Sequence, residues 1–289
     1  MTYNSFMKNN NTNKQLNFQR MDSKEFINYI QHNDLNIKDS NSQTPLLYAI
    51  ENNKEKKLHI SHEIFNKLIN NSNYDKSKET ISAISNNKTQ NLNFSESMFE
   101  QLIFNSDNMF INNFGWNAFM YVIENYKTEK LNISKKALDY LIKTSNFNIK
   151  DFYGITPLMV IINQKGYGNN PLTEEQLKHI INNSNMETIT KDGMSHLFYA
   201  LYKIKQSKSI SIGHKNWLHL FNNSKINQKN TRNETLPSLF AQNLKENYPF
   251  LFSTHEIKKI YEKIDQAFLT KEEDLIIKSH ITSQHKYYY

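Results

Sequence analysis

Cysteine is absent from this 289-residue chain, which removes disulfides, thiolate metal sites and cysteine nucleophiles together and accords with a reducing compartment. Arginine is nearly absent: only Arg20 and Arg232 occur, and every other cation is lysine. Base-edge and bidentate phosphate contacts favour arginine, so the net charge of +7 argues only weakly for a nucleic acid. The lysines are also spread along the chain, whereas a nucleic-acid footprint is clustered. Lys, Asn and Ile are abundant together, as AT-rich coding produces, so the basicity reflects composition. No run approaches about 18 apolar residues, so no membrane span is expected. Residues 1–20 are Asn-rich and lack an apolar h-region; they read as a disordered polar lead and not as a Sec signal peptide.

Catalytic and metal patterns are missing as well. His62-Glu63 and His255-Glu256 open like a zinc-protease helix, but the fourth residue after each His is Asn66 or Lys259, where a second His is required. The sole Gly-x-Gly, Gly166-Tyr167-Gly168, follows a helical stretch and not a strand, so it makes no phosphate loop. His214 and His219 flank Trp217 without a third ligand, which leaves ordinary stacking as the explanation. The expectation is therefore no catalytic residue, no metal and no cofactor.

What the chain does contain is a repeat. A capping residue followed by an apolar stripe at helical spacing starts at Asp22, Ser61, Ser95, Ser134, Thr173, Gly213 and Ser253, so successive starts lie 39, 34, 39, 39, 40 and 40 residues apart. These are the second helix of each unit; the first helix type falls between them, at about 44–53, 79–86, 117–126, 156–165, 195–206 and 235–246. The turn before it is clearest in Asp151-Phe-Tyr-Gly154-Ile-Thr156-Pro157-Leu158: Asp bonds its own backbone, Gly accepts positive φ, and Thr-Pro opens the helix. The 34-residue interval marks a unit that has lost about five residues before Ala83, together with its Gly and Pro, leaving a notch. Asn-Ser follows the second helices, as at Asn183-Ser184, and Asn can take the left-handed C-cap conformation there at modest cost. A hydrophobic share of 38% and a mean hydropathy of −0.72 suit an elongated array better than a compact globule.

The turn, short helix, loop and second helix together resemble the ankyrin repeat. Asp151 to Ile161 matches best, and Asp39 to Ala49 matches with Ser42 in place of Gly. Asn112 to Phe119 and Thr190 to Leu197 keep the Gly but lose Thr-Pro, and Asn230 to Pro237 is weaker. The units are longer than the family's usual length of about 33 residues. The resemblance implies an all-α solenoid of stacked helix-turn-helix repeats with short turn or hairpin fingers. It would span residues 21–266 in about six units, after the 1–20 lead and before a capping helix and tail at 267–289. The Thr270-to-Glu273 capping box opens that last helix.

Partners of such arrays bind the concave face formed by the turn tips and the first helices. Carried over position by position, the candidate partner-binding residues are Asn113, Phe114, Trp116, Phe152, Tyr153, Ile155, Lys191, Asp192, Met194 and Tyr202. Glu51, Asn52, Glu124, Asn125, Asn163, Gln164 and Lys203 stand beside them on the helices. The expected function is a non-enzymatic, scaffold-like protein–protein interaction module with a protein partner, cytoplasmic in location. By analogy with degenerate ankyrin proteins of intracellular bacteria, it extends to an effector delivered into a host cell. The alternatives are a basic nucleic-acid-binding helical repeat and an unrecognised enzyme.

Overall fold

The computed structural model describes residues 16–52, 58, 60–73, 75–90, 94–125, 131, 133–164, 172–207, 212, 214–246 and 252–282. The first fifteen residues of the lead, Gly166 to Gly168, Gly213 and the terminal tyrosines lie outside these. Among the described residues the structure is helical, with two short 3-10 turns and one isolated bridge, Lys229 with Thr235, and no strand. The chain divides into two compact units, 1–107 and 108–289.

The first unit holds α1 (Ser23–His32), α2 (Pro45–Asn52), α3 (His62–Asn70), α4 (Ser77–Gln90) and α5 (Glu96–Phe104). Helix α2 packs on α4, while α1 packs on α3 and α3 on α5. The second unit holds α6 (Ala118–Asn125), α7 (Lys135–Thr144), α8 (Pro157–Ile162), α9 (Glu174–Asn183), α10 (His196–Ser207), α11 (His214–Asn222), α12 (Leu236–Lys245), α13 (Thr254–Glu262) and α14 (Lys271–Thr282). There α6, α8, α10, α12 and α14 pack in sequence side by side, and α9 packs on α11. The last helix also rests on α13.

The two helix types differ because their neighbours differ. All six residues of α8, Pro157 to Ile162, are buried, as a helix lying between α6 and α10 requires. Helix α9 buries only Leu177, Ile180 and Ile181, an i, i+3, i+4 stripe. Six of the seven expected starts are N-caps whose side chain accepts a backbone N–H three residues on: Asp22, Ser61, Ser95, Ser134, Thr173 and Ser253. The box at Thr270 and Glu273 is reciprocal, with bonds of 2.8 and 3.2 Å. Trp217 is fully buried against Phe252, ring centroids 5.2 Å apart, which is the packing role expected of it.

The helix C-termini differ from expectation. Among the described residues no Asn takes a left-handed conformation there; Asn33, Asn71 and Asn105 have φ of −123°, −98° and −102°. The side chains satisfy the last carbonyls instead. Asn183 Nδ2 donates to His179 O and Ser184 Oγ to Ile180 O, both at 2.8 Å, and Asn223 and Ser224 repeat the pair on His219 and Leu220. With its orphan carbonyls occupied, the helix has no need of a left-handed residue. The following Asn links successive repeats: Asn36 Oδ1 accepts from Asn73 N at 2.7 Å in the first unit, and Asn148 Oδ1 from Asn185 N at 2.6 Å in the second.

Two features of the first unit also depart from expectation. Phe18, placed in the polar lead, is fully buried, 5.5 Å from the Phe26 ring, and its N–H donates to Asp39 Oδ2 at 3.0 Å. Residues 16–20 therefore belong to the packed structure. In the shortened unit, α4 starts at Ser77, and Lys76, Ser77, Glu79 and Thr80 are buried where a notch was expected. Thr44 Oγ1 donates to Glu79 Oε1 at 2.6 Å, and Lys76 Nζ to Ser72 O at 2.8 Å. Burial raises the Glu79 pKa and lowers that of Lys76.

Candidate functional site

Four five-residue fingers in the second unit, 112–116, 151–155, 190–194 and 230–234, are built by one set of bonds. The first N–H donates to the fifth C=O at 2.9 to 3.0 Å, and the fourth N–H returns to the first C=O at 2.9 to 3.1 Å. The fourth residue is left-handed, with φ of +81° at Gly115, +81° at Gly154, +75° at Gly193 and +61° at Asn233. A side-chain oxygen of Asn112, Asp151 or Asn230 accepts the third and fifth N–H groups, and Thr190 accepts the fifth alone. Asn, Asp and Gly recur here because each closes the turn without help from the rest of the fold.

Neighbouring fingers touch through backbone. A Cβ on Gly154 would lie 2.8 Å from Thr190 Cα, and one on Gly115 would lie 2.7 Å from Asp151 Cα. Lys191 N donates to Tyr153 O and Thr231 N to Asp192 O, both at 2.9 Å. Trp116 Nε1 donates to Asp151 Oδ2 at 3.3 Å, and its ring packs 5.1 Å from Tyr121.

The candidate residues sort by finger position. Phe114, Phe152 and Tyr153 are 71%, 72% and 65% exposed, and Asn113, Lys191 and Asp192 are exposed with them. Trp116, Ile155 and Tyr202 are half-buried. Met194 is buried, whereas at the same fifth position Trp116 and Ile155 are half-buried and Glu234 is exposed. Phe152 and Tyr153 meet edge to face at 5.6 Å and 88°, and Lys191 Nζ sits 3.1 Å from the Phe152 centroid.

Beside the fingers, Tyr121 and Tyr199 were missed from sequence. Tyr121 OH accepts from Asn112 Nδ2 at 3.0 Å. Burial pushes the Tyr199 phenol up to about 12, helped by the negative charges of Asp151 and Glu124. Lys203 lies 5.2 Å from the Tyr199 ring, and burial lowers its pKa. Gln164 is buried and donates to Glu124 Oε2 at 3.3 Å, joining two of the helix positions expected to flank the fingers. The signal for the two tyrosines was available: 121, 160 and 199 are one register at 39-residue intervals, occupied by Tyr, Val and Tyr.

Another perturbed group, His196, is structural. His196 is buried, its Nε2 2.8 Å from Thr156 Oγ1, and burial alone pulls it down to about 4. Among the described residues no three His, Asp or Glu side chains are grouped to hold a metal, and no helix is long and apolar enough to cross a membrane.

No family model matches the chain, and no curated protein matches it. It is similar to a solved structure described as the predatory endopeptidase Bd0816 from Bdellovibrio bacteriovorus in complex with immunity protein Bd3460. The identity is 19%, over 66% of this chain and 89% of that one, with a TM-score of 0.41. A likeness of that extent carries no argument about what this chain does.

Proposed function

We propose that the chain is a non-enzymatic protein–protein interaction module, an ankyrin-like helical array that holds a protein partner on the fingers and adjoining helix face of residues 108–289. The observation that carries this is the exposure of Phe114, Phe152 and Tyr153 on two consecutive fingers whose backbones are fixed by hydrogen bonds. Large exposed rings on a rigid frame favour binding, because they contribute apolar contact area at little cost in conformational entropy. The buried His196 and Tyr199 owe their shifted ionisation to enclosure by the helices, which gives an enzymatic reading no separate support.

The test is capture of a cross-linked protein partner by the full chain, compared with the Phe114→Ala, Phe152→Ala, Tyr153→Ala triple variant. Loss of the captured protein with an unchanged circular dichroism spectrum is expected. Undiminished capture would remove these fingers as the binding face. Trp116→Ala is a poorer probe, since it also breaks the bond to Asp151 and would mix stability with recognition.

A further inference from the structure

Some lysines of the second unit are paired with a carboxylate, and others, such as Lys135, Lys178 and Lys258, are exposed without an ion pair among the described residues. Outside the fingers, Lys215 pairs with Glu174, Lys225 with Glu187, Lys245 with Glu272 and Lys278 with Asp274. At the fingers, Lys150, Lys191, Lys229 and Arg232 are exposed, and none has a carboxylate partner among the described residues. The acids there are fewer. Glu234 accepts from Asn230, Asp151 is occupied by the N–H groups of Tyr153, Ile155 and Trp116, and Asp192 alone is exposed without a side-chain bond.

Apolar groups alternate with these cations. The residue preceding each finger is, in order, Ile111, Lys150, Ile189 and Lys229, all exposed. Across the tips the order is Phe114, then Phe152 with Tyr153, then Lys191 with Asp192, then Arg232. Along the preceding row a chain would meet apolar and positive positions in turn, and across the tips it would pass from apolar to charged positions.

We infer that the partner segment held by the fingers is an acidic peptide with aliphatic or aromatic anchors, bound extended across them. This rests on the protein-binding function proposed above and narrows it to one chemistry. Anchors would contact Phe114, Tyr153, Ile111 and Ile189, while Asp or Glu side chains would take the ammonium and guanidinium groups that lack an internal counter-ion. A single-stranded nucleic acid is the less suitable occupant. Aliphatic Ile111 and Ile189 offer no stacking platform, and one face of the Phe152 ring is covered by Lys191 while Tyr153 meets it edge to face.

The experiment is selection of a displayed library of random linear peptides on the full-length protein, followed by anisotropy titration of the enriched sequences. Enrichment of Asp and Glu interspersed with aromatic or aliphatic residues is expected. Affinity should fall about tenfold or more in Lys150→Glu, Lys191→Glu, Lys229→Glu and should weaken with salt. The control Lys225→Glu, Lys245→Glu lies outside the fingers and should bind as the wild type does. Enrichment without acidic bias, affinity indifferent to the finger reversals, or tighter binding of an oligouridylate than of any enriched peptide would each overturn the inference. A partner captured through the three rings but insensitive to charge reversal would overturn it while leaving the protein-binding function standing.

Discussion

The imidazole of His196 occupies the position that holds Pro157 one repeat earlier, and it is closed in between helices with one nitrogen on Thr156 Oγ1 and the other without a partner. Its folded-state pKa of about 4 lies below the ordinary 6.5, so the unfolded chain takes up a proton in this window that the folded chain does not. Stability is then intact above pH 6.5 and lost as pH falls toward 4, by about 1.4 kcal/mol per pH unit and roughly 3 kcal/mol in all. His196→Gln should flatten that part of the acid-unfolding profile, measured as the urea midpoint against pH. A slope unchanged by the substitution would show that other groups carry the acid sensitivity. Gly154 is constrained by geometry and not by charge: Ala there meets backbone at 2.8 and 2.9 Å with φ at +81°. Gly154→Ala is expected to cost about 2 kcal/mol or more, combining the left-handed penalty with displacement of the next finger. Guanidinium unfolding checks it, with the exposed Asn113→Ala as the neutral comparison.

At the scale of elements, the helix starts were legible because an N-cap is a local event: one short polar side chain and one N–H three residues on. The ends were not. Asn183 and Ser184 were expected to stand in for a left-handed glycine, yet each uses its side chain as a donor to the preceding turn, a choice that residue type alone does not reveal. Ser184→Ala, leaving the Ile180 carbonyl short of a partner, should cost about 1 kcal/mol by equilibrium denaturation. Finger positions were legible from Asp, Asn and Gly, but the direction of each side chain was not. Turns have no hydrophobic period, so buried Met194 and exposed Phe152 looked alike. Phe18 was hidden for a related reason: one ring in a polar run carries no pattern, and its burial depends on Phe26, Tyr29 and Tyr48 arriving around it. Helix α4 shows a third limit. Deletion of a finger leaves polar groups that must find partners inside, and Glu79 finds Thr44 thirty-five residues away.

Over the whole molecule, stability is distributed through nearest-neighbour helix contacts inside each of two units, so damage should stay near its origin. Leu158 is fully buried in α8, between α6 and α10, and its side chain cannot be replaced by a shift of distant elements. Leu158→Ala should lower the stability of the second unit by about 2 to 4 kcal/mol through lost burial and the cavity left behind. Hydrogen exchange followed by mass spectrometry locates the effect: protection should fall across α6, α8 and α10 and fall much less in α1 to α3. Helix α7 packs on α6, so its exchange should rise as well, though by less than that of α8. Equal loss of protection across both units would mean that the chain unfolds as one cooperative block. The compact units 1–107 and 108–289 would then not be separate units of stability.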